Sequence, residues 1–281
     1  MERKKIKKAK RIVIKVGASV LTVGGRHACP LLDRVWMKNF AGQVAVLLKQ
    51  GHQVLVVSSG AIAAGMGLFG IKKRPKSLPE QQACAALGQG YLMKTYEEFF
   101  KKKVFHAAQI LLTWEDIREK RRYLNAENTL HVLLSKKAVP VINENDTVSV
   151  DEIKFGDNDK LSALVASMVS ADLLIMLTDV DGLHIDDKRT VASVVREINA
   201  DIERLAAGTD KECSLGGMKT KLDAAKIAVK SGIDCIIANG REKNVLLKIL
   251  KGEKTGTLFQ AHKTRITGKA FYEEAINRVI L

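Results

Sequence analysis

Five short apolar runs rich in β-branched residues recur along this 281-residue chain, separated by longer stretches of helical periodicity, and they restrict its fold more than any other feature. They are Ile12-Val-Ile-Lys-Val16, Val54-Leu-Val-Val57, Val139-Pro-Val-Ile142, Leu173-Leu-Ile-Met-Leu177 and Cys235-Ile-Ile-Ala238. Continuous apolar runs of this kind suit strands buried on both faces, the environment of a parallel sheet. Between them, Leu32 to Lys49, Gln81 to Lys101, Leu161 to Ser170 and Met218 to Ser231 carry apolar residues at helical spacing. The alternation predicts an α/β fold in which helices cover a mostly parallel sheet. Only four prolines occur and no Gly/Ser/Pro-rich linker divides the chain, so Arg74-Pro-Lys-Ser-Leu-Pro79 reads as a loop joining two helices within one domain. Ligands of such sheets sit beyond the carboxyl ends of the strands, which directs attention to the residues after each run.

Composition narrows the class. With 46% hydrophobic residues the chain can bury a substantial core, yet it has no apolar run long enough for a membrane span and no apolar stretch near its start. A soluble cytoplasmic protein with no membrane partner is expected. Cys29, Cys84, Cys213 and Cys235 lack C-x-x-C spacing, so they suggest neither a zinc site nor a disulfide framework and read as packed or incidental residues. A net charge of +15 favours anionic partners without choosing among them. Much of the excess lies in residues 1–10, which offer no aromatic residue to stack on bases; this segment reads as a solvated arm, and no nucleic-acid partner is expected.

Several segments that follow strands could carry chemistry. Gly65-Met-Gly-Leu-Phe-Gly70 fits G-x-G-x-x-G but lies too far beyond the strand ending near Val57; it should finish a short helix rather than open one, which argues against a dinucleotide site. No P-loop pattern occurs. At the end of the first strand Lys15 precedes Gly17, a pairing of an ammonium with a turn that lets an anion approach the backbone. Ser58-Ser-Gly-Ala61 presents hydroxyls and backbone N–H groups at a helix start. Asn143-Glu-Asn-Asp146 and Asp157-Asn-Asp159 supply donors and fixed negative charge suited to an amino-acid ligand, although such residues also make turns and helix caps. Thr178-Asp-Val-Asp-Gly182 ends the most hydrophobic run, where a tight turn is the plain alternative. Two glycines, Gly216 and Gly217, precede a helix with Lys221 near its first turn, which suits a phosphate.

Together these segments, with Gly156-Asp-Asn-Asp-Lys-Leu-Ser-Ala163 and Gly256-Thr-Leu-Phe259, resemble the amino-acid kinase family in order and over essentially the whole chain. Within it they resemble the members that phosphorylate the side-chain carboxylate of glutamate. The resemblance implies a three-layer α/β/α sandwich around an eight-stranded, mainly parallel sheet, with ATP as co-substrate accompanied by Mg2+. It implies that the product is L-glutamyl 5-phosphate, the first step of proline biosynthesis. It also implies that Lys15 and Lys221 charge the transferring phosphoryl group from opposite sides of the sheet edge while Asp159 holds both. Ser59, Gly60, Asn143, Asp146 and Asn158 would bind glutamate. Lys15, Gly17, Thr178, Asp179 and the run Leu215, Gly216, Gly217, Met218, Lys219, Thr220 and Lys221 would bind ATP. Leu215 stands where the family has a small hydroxyl residue.

By the same likeness, residues 11–260 form the kinase domain, proline is a feedback inhibitor, and the chain assembles into dimers or tetramers. The extension 261–281 is too short for the PUA domain that many members append. A sibling kinase acting on acetylglutamate, aspartate or UMP is the nearest alternative, and the paired Asn/Asp segments weigh against it. A non-catalytic polyanion-binding protein on this fold is the alternative from another class, against which the joint presence of Lys15, Asp159 and Lys221 counts.

Overall fold

The apolar runs form the interior strands of one eight-stranded sheet in the computed structural model, which describes residues 2–24, 28–149, 158–185, 190–207 and 217–261. The strands are β1 (Arg11–Val16), β2 (Thr22–Val23), β3 (Leu31–Leu32), β4 (Gln53–Ser58), β5 (Ala107–Leu112), β6 (Val139–Glu144), β7 (Leu173–Thr178), β8 (Val194–Val195), β9 (Asp234–Asn239) and β10 (Thr257–Phe259). β2 and β3 pair with each other; the rest are ordered β5-β6-β4-β1-β7-β9-β10-β8. β1 is the pivot, parallel to β4 with Val16 opposite Ser58 and parallel to β7 with Ile12 opposite Leu173. β10 runs antiparallel to β9 and carries β8 beside it. Chain order departs in opposite directions on the two sides of β1, so the crevice for a ligand opens beyond its carboxyl end.

Strand parity sorts the side chains into two layers. Ile12, Ile14 and Val16 face the helices Arg34–Lys49, Leu78–Lys101 and Val245–Leu250. Val13 faces the other layer, with the helices Lys120–Ser135, Asp159–Met168 and Met218–Lys230. Lys15 shares the parity of Val13, so the alternation that buries the core also turns this lysine towards the Asp159 helix. The expected helices are present with boundaries shifted by a few residues. Glycine permits one unusually close crossing: a Cβ on Gly65 would fall 1.8 Å from the Cys84 carbonyl oxygen, and one on Gly88 1.9 Å from that of Ala61. The helix Leu78–Lys101 thereby lies directly against the helix Ala61–Phe69, which ends at Gly70 with φ +72° as the glycine spacing predicted.

The opening segment is not the solvated arm expected from its charge. Its two short 3-10 turns, Glu2–Lys4 and Ile6–Lys8, bury Arg3, Ile6 and Ala9. Arg3 donates to the backbone carbonyls of Glu253, Thr255, Ser193 and Gly256 at 2.6–2.8 Å, closing the strand edge at β8 and β10. Lysine-rich sequence hid an apolar stripe, Ile6 and Ala9, that the sheet edge can cover. Replacing Arg3 by alanine strands these acceptors and should lower unfolding stability by about 3 kcal/mol. Urea unfolding measures it; a loss below about 0.5 kcal/mol, usual for a surface substitution, would restore the solvated reading.

Among the described residues no helix is long and apolar enough to cross a membrane. Burial pushes the thiols of Cys84 and Cys235 up, the latter helped by the negative charges of Asp159 and Asp234, so both stay protonated and packed. Cys213 lies outside the described residues.

Candidate functional site

At the carboxyl end of β1, three charged side chains meet under cover of the helices. Lys15 Nζ lies 2.8 Å from Asp159 Oδ1, and Lys221 Nζ lies 3.3 Å from Asp159 Oδ2. All three are nearly inaccessible, at 2%, 0% and 5% exposure. Removing ions from water is costly unless they are paired and hydrogen-bonded, and the Thr220 hydroxyl adds a further donor to Asp159 Oδ2 at 2.9 Å. Both lysines reach Asp159 from one face of the sheet. They do not approach from opposite sides, because the Asp159 and Lys221 helices pack in the same layer. A Cβ at Gly17 would sit 3.7 Å from Lys15 Nζ with the Leu177 carbonyl oxygen 3.5 Å away, so glycine keeps clear the space above the ammonium.

Beside this cluster the ends of β4 and β6 carry polar side chains in an otherwise apolar interior. Asn158 Nδ2 donates to the Ser58 carbonyl at 3.0 Å and to Asn143 Oδ1 at 2.6 Å, tying the start of the Asp159 helix to both strands. Gly60, at φ +96°, makes the left-handed turn into the next helix, which no side chain caps. Three oxygens here are buried with no partner among the described residues: Ser59 Oγ, Asp146 Oδ1 and Asn158 Oδ1. Buried polar atoms are nearly always paired, and this group of orphans can accept hydrogen bonds from a polar ligand or from water. Burial pushes the Asp146 carboxyl up to about 7, the negative charge of Glu144 pushing the same way and Arg74 opposing. Glu144 in turn accepts from the Ser149 hydroxyl.

The third group follows β7. Gly17 N–H donates to the Leu177 carbonyl at 3.1 Å, and Gly240 N–H donates to that of Thr178 at 2.8 Å, so the ends of β1, β7 and β9 are joined there. The Thr178 hydroxyl donates to Asp179 at 3.0 Å. Gly217 precedes the helix Met218–Lys230, whose first turn has no side-chain cap and leaves backbone N–H groups for an anion. Within that turn Met218 is buried in the core cluster while Lys219 points to solvent, so Thr220 and Lys221 are the side chains turned into the site. Leu215 and Gly216 lie outside the described residues.

Residues not singled out from sequence also enter the site. Gln89 accepts from Asn143 Nδ2 at 3.0 Å, and buried Tyr96 lies 3.0 Å from the Ser58 hydroxyl. Both come from the long helix Leu78–Lys101, where a polar residue at helical spacing reads as surface; Gln89 between Gly88 and Gly90 was the available signal.

Comparison with known proteins bears on the family and the fold. A family model described as the amino acid kinase family matches residues 10–239. The chain is 48% identical over 268 residues to a glutamate 5-kinase of Carboxydothermus hydrogenoformans, covering 94% of this chain and 71% of that protein. It is 44% identical over 293 residues to a glutamate 5-kinase of Geobacter sulfurreducens, covering 98% and 78% respectively. Among solved structures, a carbamate kinase from Giardia lamblia bound to AMP-PNP matches with a TM-score of 0.62 at 17% identity, covering 91% of this chain and 100% of that one, a likeness of fold.

Proposed function

Because this chain belongs to the amino acid kinase family, we propose that it transfers the γ-phosphoryl group of ATP to the side-chain carboxylate of L-glutamate, giving L-glutamyl 5-phosphate for proline biosynthesis. The observation that carries the reading is the buried Lys15–Asp159–Lys221 cluster set beside three buried oxygens without a partner among the described residues. One feature suits a migrating phosphoryl group, the other an amino acid. The relatives' name favours glutamate over acetylglutamate or aspartate, and a passive polyanion binder has no need of buried lysines.

Phosphoryl transfer between two anions asks the protein for alignment and positive charge rather than covalent chemistry. Lys15 and Lys221 neutralise charge on the transferring group and its oxygens, and Asp159 with Thr220 holds the ammoniums so that they need not reorganise during reaction. Asp146 and Asn158 accept from the α-ammonium of glutamate, while Ser59 and the helix start after Gly60 take a carboxylate. Thr178, Asp179 and the start of the helix at Gly217 hold the nucleotide, with Leu215 and Gly216 in the same role. Mg2+ travels with the ATP phosphates; among the described residues no group of three His, Cys, Asp or Glu side chains could hold a metal. Residues 11–260 as the kinase domain, dimers or tetramers, inhibition by proline and a cytoplasmic location complete the proposal on the family likeness.

The test is ADP release from Mg-ATP with L-glutamate, N-acetyl-L-glutamate, L-aspartate and UMP as acceptors. A clear preference for any acceptor other than glutamate would overturn the reading.

A pH dependence follows from Asp146. Its carboxyl is raised to about 7, and only the charged form attracts an ammonium. The glutamate KM should therefore fall about tenfold as pH rises from 6 to 8, with kcat at saturating glutamate changing little. Folding of the free enzyme shifts the other way. The folded state keeps a proton that the unfolded chain gives up near 3.8, so this carboxyl's stabilising contribution is full below that pH and lost as pH rises through about 7. Initial rates across this range check the first effect; a glutamate KM flat from pH 6 to 8 would remove Asp146 from the ammonium site.

A further inference from the structure

We propose that Gln89, steadied by Gln109, is a positioning residue for amino-acid recognition: it fixes a relay of side-chain amides that presents the Asn158 oxygen to the ammonium of the substrate. The inference rests on the glutamate reading above and adds a residue that lies behind the site.

A primary amide carries an acceptor oxygen and a donor NH2 of nearly equal size, so turning it over exchanges acceptor for donor at little steric cost. An amide that binds a ligand must be held the right way round by its neighbours. Here four amides run head to tail. Gln89 Nε2 donates to Gln109 Oε1 at 3.3 Å, and Asn143 Nδ2 donates to Gln89 Oε1 at 3.0 Å. Asn158 Nδ2 then donates to Asn143 Oδ1 at 2.6 Å. Two backbone groups fix the direction, because the Glu144 N–H donates to Asn143 Oδ1 at 2.9 Å and the Ser58 carbonyl accepts from Asn158 Nδ2 at 3.0 Å.

The consequence is polarity. Asn158 spends both its N–H groups inside the protein, and the acceptor left over is Asn158 Oδ1, wholly buried and without a partner among the described residues. An amino-acid ammonium is a donor-only group and matches it. Asn143, by contrast, spends its oxygen on Asn158 and the backbone and an N–H on Gln89, so it orients the ligand-binding amide. Gln89 can reach Asn143 because its neighbour Gly88 lets the helix backbone lie against Ala61, just past Ser59 and Gly60.

Without an acceptor at position 89, the Asn143 NH2 loses its partner and the amide is held through its oxygen alone, so the side chain that orients Asn158 is less firmly fixed. Gln89→Met keeps length and removes both hydrogen bonds; Gln89→Glu keeps the acceptor for Asn143 and loses the donor to Gln109. The relay predicts that Gln89→Met raises the glutamate KM about tenfold, with kcat and the ATP KM within about twofold. It predicts that Gln89→Glu restores the glutamate KM to within about threefold of the parent enzyme. A merely structural role would give no such split between methionine and glutamate. Equal rises for both variants, an ATP KM that rises with the glutamate KM, or no change in Gln89→Met would each overturn the relay. Should Gln89→Met fail to fold, Gln89→Glu decides, and a tenfold or greater rise there would count against the proposal. The parent enzyme in the same assay separates the two readings. Normal glutamate turnover with an unshifted Gln89→Met refutes the relay alone, whereas no glutamate turnover refutes both.

Discussion

Lys221→Ala is expected to lower kcat by about two or more decades, the scale seen when a preorganised electrostatic donor is lost, while the glutamate KM should move by less than about threefold. The lysine sits in the first turn of the helix Met218–Lys230 with its ammonium 3.3 Å from Asp159, buried in the layer that also holds Lys15. A charge held there does little for a resting amino acid and most for a phosphoryl group in flight, whose oxygens carry charge between donor and acceptor. Lys15→Ala should behave alike, with a rise in the ATP KM as well, since Lys15 is proposed to contact the nucleotide phosphates. Asp159→Asn belongs with the lysines, because it loosens both at once without touching the amino-acid side. Steady-state kinetics with thermal unfolding as the folding check decides. A Lys221→Ala enzyme that alters only KM would place the lysine outside the transfer step.

Asp146→Ala should have the opposite signature, raising the glutamate KM by about thirtyfold to a hundredfold while kcat at saturation stays within about threefold. The carboxylate is 5% exposed and Asp146 Oδ1 has no partner among the described residues, so on the proposed role its contribution is realised when the substrate ammonium arrives. An interaction equally present in the ground and transition states changes binding alone. Asp146→Asn should keep part of the affinity through its amide oxygen and abolish the pH dependence of KM between 6 and 8, because the titrating group is gone. Loss of kcat at saturating glutamate in either variant would contradict the division between phosphate-handling and substrate-binding residues.

The sequence disclosed the strands whose residues are apolar on both sides and the residues that follow them, because burial and the switch point beside β1 both leave local traces. Lys15 was legible for that reason: a charge at the end of a buried strand has to be there for something. β5 was not, since Ala107-Ala-Gln-Ile-Leu-Leu112 is a mixed run near the sheet edge, and its hidden strand carries the Gln109 that meets Gln89. The opening segment misled in the other direction. Its lysines dominate the charge count, whereas its fold is decided by Ile6, Ala9 and Arg3, and the carbonyls that Arg3 meets lie 190 to 253 residues away in the chain and leave no local signature. Asn143 and Asn158 were placed at the site by pattern, but which of them faces the ligand depends on the direction of the amide relay. Direction is a property of side chains from four separate elements.

Trapping of the product tests the central claim most directly. An acyl phosphate on the glutamate side chain is attacked readily by hydroxylamine, whereas a phosphate on nitrogen or on a hydroxyl is not. Incubating the enzyme with Mg-ATP, L-glutamate and hydroxylamine should give γ-glutamyl hydroxamate in step with ADP, and Lys221→Ala should suppress both together. ADP formation without hydroxamate, or hydroxamate from acetylglutamate or aspartate in clear preference to glutamate, would contradict the account.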